Sequence, residues 1–195
     1  MTQPEAKPRT KFTNADYIAM TPPENSGPRY QLINGELVEM AGATFGHQTF
    51  LLEMSAELLI QIRVLDIGTI VIAPYDVHVD LFNTYQPDLL FVSNARRHIL
   101  ESRGITGAPD LVMEILSEST RQRDFNEKLP VYAANGVREV WMVSLVEATI
   151  SVYATEEHGA RLVSEFTAND VLTSEMMPGV EIELGPVFAR ALASV

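Results

Sequence analysis

The chain contains no cysteine. That excludes a disulfide framework, a thiolate metal site and a cysteine nucleophile. It also has no run of about 20 apolar residues, so no membrane-spanning helix is expected. The first twelve residues, MTQPEAKPRTKF, are polar, contain two prolines and lack the apolar core of a signal peptide. Residues 1–12 therefore read as a flexible leader, residues 13–195 as a single domain, and the protein as cytoplasmic. Basic residues are scarce. The 14 Lys and Arg face 26 Asp and Glu, a net charge of −12, which excludes a protein basic over its whole surface, as general nucleic-acid binders are. A local phosphate-binding surface is still allowed. Arg96, Arg97, Arg103, Arg121, Arg123 and Lys128 fall within 33 residues and read either as such a surface or as ordinary solvated side chains. Zinc-type His-x₃-His or Glu-x-x-His arrays, a P-loop and a G-x-S-x-G elbow are all missing.

What is present is enough apolar residue, 46%, to build a core. Asn14 is placed to cap a short helix over 15–20, ending before Pro22-Pro23. Asn34-Gly35 lies between two alternating runs, 30–33 and 36–40, a strong hairpin signal because both turn residues must take positive φ. Leu51, Leu52, Met54, Leu58, Leu59 and Ile62 recur at helical spacing and predict a helix over 45–64. Strands are expected over 69–73, 75–81, 88–93 and 110–116, with a short helix near 95–101. Asp124 and Glu127 stand three apart, as in a capping box. They predict a helix that ends at Gly136, with Pro130 forcing either a kink or a later start. Strands over 139–144, 149–154 and 161–166, a β segment near 180–182 and a helix over 186–192 complete a mixed α/β (α+β) sheet domain without internal repeats.

Glu114 stands in the apolar run Leu111-Val112-Met113-Glu114-Ile115-Leu116. An ionised carboxylate in a buried strand is costly unless paired or metal-bound. It is either an edge or arginine-paired acid, or a functional one. Asp88 follows Gln86-Pro87 and alone reads equally as a turn acid. Together the two can share one hard cation. Mg²⁺ prefers about six oxygens and keeps several waters, and the Ile115 carbonyl is a further candidate ligand. Lys128, 14 residues after Glu114, can return over the carboxylates from the following helix, or be a solvent lysine. Glu36 is either a solvated strand residue or a third acid of the site. Glu39 points oppositely by alternation. His47 reads as a surface or capping group at a helix start, and His78 with Asp80 as a weaker metal pair.

Five stretches carry a resemblance: RYQLINGELVEM (29–40), QPDLLFVS (86–93), GAPDLVMEILSEST (107–120), RDFNEKLPVYAANGVREVWMV (123–143) and LTSEMMPGVEIEL (172–184). In order and spacing they resemble the bacterial restriction-endonuclease-like family within the PD-(D/E)XK nuclease superfamily, over about residues 13–190. The resemblance implies a restriction-endonuclease-like mixed β-sheet core flanked by helices. It places Asp88 and Glu114 as the motif acids and Glu36 on the first helix-associated segment. The lysine that commonly stands two residues after the motif Glu is replaced here by Leu116, and Lys128 takes its place from the next helix.

It also implies a Mg²⁺-dependent endonuclease acting on DNA, with Mn²⁺ as a substitute, Arg121 and Arg123 as phosphate contacts, and a homodimer. The competing expectation is a nucleic-acid-binding module that has kept the fold without strong catalysis.

Overall fold

The computed structural model describes residues 11–20, 29–156 and 159–193. Residues 1–10 of the expected leader and Pro22-Pro23 lie outside these. Lys11 and Phe12 are already engaged: the Phe12 N–H donates to the Gly35 carbonyl at 2.9 Å, and Lys11 Nζ sits 5.6 Å from the Phe82 ring centre.

Helix α1 (Asn14–Met20) is capped by Thr13, not by Asn14. Thr13 Oγ1 accepts from the Asp16 N–H while Asp16 Oδ2 accepts from the Thr13 N–H, a reciprocal capping box. Asn14 Oδ1 accepts instead from the Thr84 hydroxyl. The hairpin of β1 (Tyr30–Ile33) and β2 (Glu36–Glu39) turns at Asn34-Gly35, with φ of 51° and 79°, the primed turn that matches strand twist.

Helix α2 (Phe45–Leu65) starts at the N-cap Thr44, whose hydroxyl accepts from the His47 N–H. Strands β3 (Gly68–Ile72), β4 (Asp76–Asp80), β5 (Asn83–Tyr85) and β6 (Leu89–Ser93) follow. A 3₁₀ turn (Asn94–Ile99), β7 (Gly104–Thr106) and β8 (Leu111–Ile115) come next. Neither β5 nor β7 is expected from the sequence, because three residues are too short to show a period.

The next helix is bent. It starts at α3 (Arg121–Arg123), passes through a π-helical turn (Asp124–Lys128) and continues as α4 (Leu129–Ala134). The Leu129 N–H reaches the Asp124 carbonyl, the wide spacing of a π turn. Asp124 is thus inside the helix and not its cap. The kink expected from Pro130 is this turn, immediately before a proline that brings no N–H of its own. Strands β9 (Glu139–Ser144), β10 (Thr149–Glu156), β11 (Gly159–Thr167), β12 (Val171–Leu172) and β13 (Ile182–Glu183) precede α5 (Leu184–Leu192).

The strands form a six-stranded sheet, β11-β10-β9-β8-β6-β3, a five-stranded sheet, β2-β1-β5-β4-β7, and a small pair, β12-β13. In the six-stranded sheet β8 runs parallel to β9 and antiparallel to β6. Alternation divides its central strands between two cores. Leu89, Phe91, Leu111, Met113 and Trp141 pack against α2 and α5. Leu90, Val92, Val112, Val140 and Met142 pack against α4 and residues of the five-stranded sheet.

Candidate active site

Glu114 has the parity of Val112 in β8, so its side chain enters the second of these cores, beneath the bent helix. The antiparallel register pairs Leu89 with Met113. Asp88 stands at a bend immediately before β6, next to that pair, and its negative charge acts on Glu114. The Ile115 N–H closes this arrangement by donating to Asp88 Oδ2 at 2.7 Å. Both carboxylates line one cleft of about 570 Å³.

Asp88 Oδ1 accepts from His47 Nε2 at 2.9 Å. His47 sits in the first turn of α2, and Thr44 caps that turn and fixes its direction. Burial pulls the His47 pKa down, but the hydrogen bond and charge of Asp88, with the charge of Glu114, outweigh it and hold it above its ordinary value. His47 is therefore part of the site and not a surface cap. The sequence signal for it was only its position in a helix start.

Glu114 is buried. Lys128 Nζ lies 3.1 Å from each of its oxygens, and the Tyr132 hydroxyl donates to Oε1 at 2.7 Å. Asp124 Oδ1 is 3.0 Å from Lys128 Nζ, an ion pair without hydrogen-bond alignment. Asp124, Lys128 and Tyr132 are spaced four apart, one face of a helix. That spacing was readable from the sequence, and it identifies Asp124 and Tyr132 as site residues missed there.

Burial is the main force on each group. It raises the Glu114 pKa; Lys128 pulls it back down, while the negative charges of Asp124 and Asp88 push it further up. Lys128 moves upward despite burial, because Glu114 and Asp124 surround it. The ammonium is held charged, and two carboxylates, Glu114 and Asp124, face it. Tyr132 is pushed well above its ordinary value, by burial first and then by Glu114, and stays a donor.

Glu36 does not join them. It is exposed near the hairpin turn, on a strand and not a helix-associated segment, whereas Val38 and Glu39, further along β2, line the cleft. The cleft takes up the open end of the hairpin, so position along the strand decides this more than alternation does. Arg123 and Arg29 line the cleft. Arg121 stands outside it, over the Phe125 ring and 3.7 Å from Glu147. The basic cluster of the sequence does not form one surface. Arg96 holds the buried Asp110 at 3.1 Å, and Lys128 is buried. His78 and Asp80 bond to Thr84 and Asn83, and no group of three or more His, Asp or Glu placed to hold a metal occurs among the described residues.

Two carboxylates are enough for a hard cation that keeps water and takes phosphate oxygens. An ionised carboxylate has about four acceptor positions. Asp88 uses two, on His47 and Ile115, and Glu114 uses three, on Lys128 twice and on Tyr132. Each retains acceptor capacity, the donors are hard oxygens, and the local charge is negative. These residues fit a divalent cation such as Mg²⁺.

Mixed multi-stranded sheets flanked by helices are the architecture of a restriction-endonuclease-like nuclease fold. The fold matches a crystal structure from Anabaena variabilis, described as "a putative nuclease belonging to DUF820", with a TM-score of 0.76 and 16% identity. The match covers 93% of this chain and 99% of that one. Residues 15–185 match the model of the Uma2 family, described as "Putative restriction endonuclease", and the chain belongs to that family. It is also 25% identical over 169 residues to the uncharacterized protein slr1290 of Synechocystis sp. (strain ATCC 27184 / PCC 6803 / Kazusa), covering 85% of each chain.

Proposed function

We propose that this protein is a divalent-metal-dependent endonuclease of the PD-(D/E)XK type that hydrolyses DNA phosphodiester bonds in the cytoplasm. The observation that carries the reading is that Asp88, bonded to the Ile115 amide, and Glu114 line one cleft, with Lys128 against Glu114. Mg²⁺, or Mn²⁺ in its place, would be held by Asp88, Glu114 and the Ile115 carbonyl, and it supplies charge neutralisation of the phosphate and a more acidic water.

The chain's own residues prepare this site. His47 and the Ile115 amide orient Asp88, one on each oxygen. Tyr132 and Lys128 orient Glu114. Lys128, held cationic, offsets negative charge that develops on the phosphate. Arg123 contacts the DNA backbone beside the cleft, with Arg121 further out, and such contacts position a duplex without reading its sequence. The N-terminus of the 21-residue α2 opens at the cleft rim, where Thr44 and His47 line it. The positive end of its dipole favours a phosphate there.

One observation favours a second reading, a DNA-binding module without strong catalysis. Glu114 already accepts three hydrogen bonds, two of them from a cation. Plasmid nicking separates the two. The nuclease reading expects wild-type protein to nick DNA with Mg²⁺ or Mn²⁺ and not with chelator. Asp88→Asn and Glu114→Gln should each abolish nicking while circular dichroism stays unchanged. Nicking that persists in both variants rejects the site. A wild type inert on plasmid, linear and single-stranded DNA leaves the binding module.

A further inference from the structure

Among the described residues the buried acids are Asp110, Glu114, Asp124 and Glu139. Asp110 accepts hydrogen bonds from the Ser93 N–H and from Arg96. Glu139 accepts from Trp141 Nε1 and from the Ser174 hydroxyl. Glu114 accepts from Lys128 and Tyr132. Asp124 is the exception. Its Oδ1 is buried and receives no hydrogen bond, although Lys128 Nζ stands only 3.0 Å away. A buried carboxylate oxygen left without a donor is costly. Such an atom points to a second arrangement of the site in which it is used.

The neighbouring ammonium defines that arrangement. Lys128 Nζ lies 3.1 Å from each Glu114 oxygen and 3.0 Å from Asp124 Oδ1. It is almost equidistant from two carboxylates and hydrogen-bonded to one. An ammonium carries three donors, and Glu114 takes two of them. Asp124 and Lys128 share the π-helical turn of the bent helix, four residues apart, and such turns occur frequently at functional sites. Glu127, the other acid of this turn, is directed elsewhere and accepts from Asn34 Nδ2 at 3.2 Å. A small rotation at the end of the Lys128 side chain passes its hydrogen bonds from Glu114 to Asp124 while the charge stays buried.

We propose that Asp124 is a positioning residue, which accepts the Lys128 ammonium when a divalent cation takes up Glu114. The inference rests on the cation site of the nuclease reading. A divalent cation and an ammonium on one carboxylate repel each other. A buried ammonium without a counter-charge is strongly unfavourable. Lys128 therefore needs another anion, and among the described residues Asp124 is the one within ion-pair distance besides Glu114. The exchange releases both Glu114 oxygens from the lysine, while the Tyr132 hydroxyl still holds Oε1 and keeps the carboxylate directed. It also keeps Lys128 charged and at the cleft, which Lys128 and Asp124 both line. Lys128 thus neutralises Glu114 in the resting protein and Asp124 once a cation binds.

A wild-type crystal soaked in Mn²⁺ tests the exchange. Lys128 Nζ should be hydrogen-bonded to Asp124 Oδ1 and beyond hydrogen-bond distance, about 3.5 Å, of at least one Glu114 oxygen. A bound cation with Lys128 still on both Glu114 oxygens overturns the proposal, as does a cation coordinated by Asp124 itself. A crystal with no cation at the site removes the nuclease reading and this inference together, so the two failures are told apart. In solution, calorimetric Mn²⁺ affinity without DNA should fall about tenfold in Asp124→Asn. In a Lys128→Met background the same substitution should have a much smaller effect, because no ammonium remains to be placed. An equal loss in both backgrounds overturns the proposal, since Asp124 would then act on the cation directly. Should Lys128→Met fail to fold, the soaked wild-type crystal decides.

Discussion

The Ile115 backbone amide donates to Asp88 Oδ2 at 2.7 Å, one residue beyond Glu114. This bond joins two acids that are 26 residues apart in the chain, and it makes the end of β8 a template for the carboxylate at the start of β6. The cleft chemistry follows from strand register, which is rigid, more than from loop placement.

Lys128 is the only cation against Glu114 and Asp124 among the described residues. Lys128→Met leaves buried carboxylates without their partner and is expected to cost about 3–5 kcal/mol. Adding Glu114→Gln should recover part of that loss, because the removed charge no longer needs compensation. Chemical denaturation of the two single variants and the double variant measures this, and strictly additive losses would show that the pair is not coupled.

His47 acts on Asp88 and not on the phosphate, so it is a positioning residue. His47→Ala is expected to reduce metal-dependent nicking by about 10–100-fold. His47→Gln, which can still donate to Asp88, should restore part of it. Metal affinity measured calorimetrically should fall with His47→Ala and recover with His47→Gln; an unchanged affinity would mean that the histidine only packs.

Asp110 is buried at the start of β8, where it accepts from the Ser93 N–H at 2.8 Å and from Arg96 at 3.1 Å. Burial alone would raise its pKa, but the Ser93 and Arg96 bonds outweigh it and hold the carboxyl below its ordinary value. A folded-state pKa below the unfolded one, about 3.9, gives stability that is complete above that value and is lost as pH falls through the folded pKa. Asp110→Asn should therefore lower stability by about 2 kcal/mol at neutral pH, with a penalty that shrinks below about pH 4. Thermal melts of both proteins from neutral to acidic pH would show the gap closing. A gap independent of pH contradicts the assignment.

Of the two arginines proposed to meet DNA, Arg123 lines the cleft and Arg121 does not. Arg123→Ala should reduce the salt slope of DNA binding by about 0.9, one phosphate contact, and Arg121→Ala by less. Fluorescence anisotropy at several salt concentrations resolves the two. Equal slopes in wild type and Arg123→Ala would remove Arg123 from the interface.

Much of this architecture was legible in the sequence because it rests on local periodicity. The 45–64 pattern gave α2, Asn34-Gly35 gave the hairpin, and the apolar run around Glu114 gave β8. Glu114 stood out because an acid inside an apolar strand demands a partner, whereas Asp88 and Lys128, each ambiguous alone, were placed beside it by the family resemblance. What escaped depends on contacts between distant segments. Strands β5 and β7 are too short to show a period. Thr13 and Asn14 are equally good caps until Thr84 claims Asn14. His47 is an ordinary helix-start residue until register brings Asp88 to it. Glu36 and Glu39 could be told apart only by where the cleft meets β2. Asp124 and Tyr132 were masked by reading Asp124 as a cap, whereas the four-residue spacing through Lys128 already placed all three on one face.

The most direct test of the central claim is an anomalous difference map from a crystal soaked in Mn²⁺. The account predicts a peak between Asp88 and Glu114, about 2.0–2.2 Å from a carboxylate oxygen of each, that is lost in Asp88→Asn. A soaked crystal with no peak there, and with Glu114 still closed on Lys128, would contradict it.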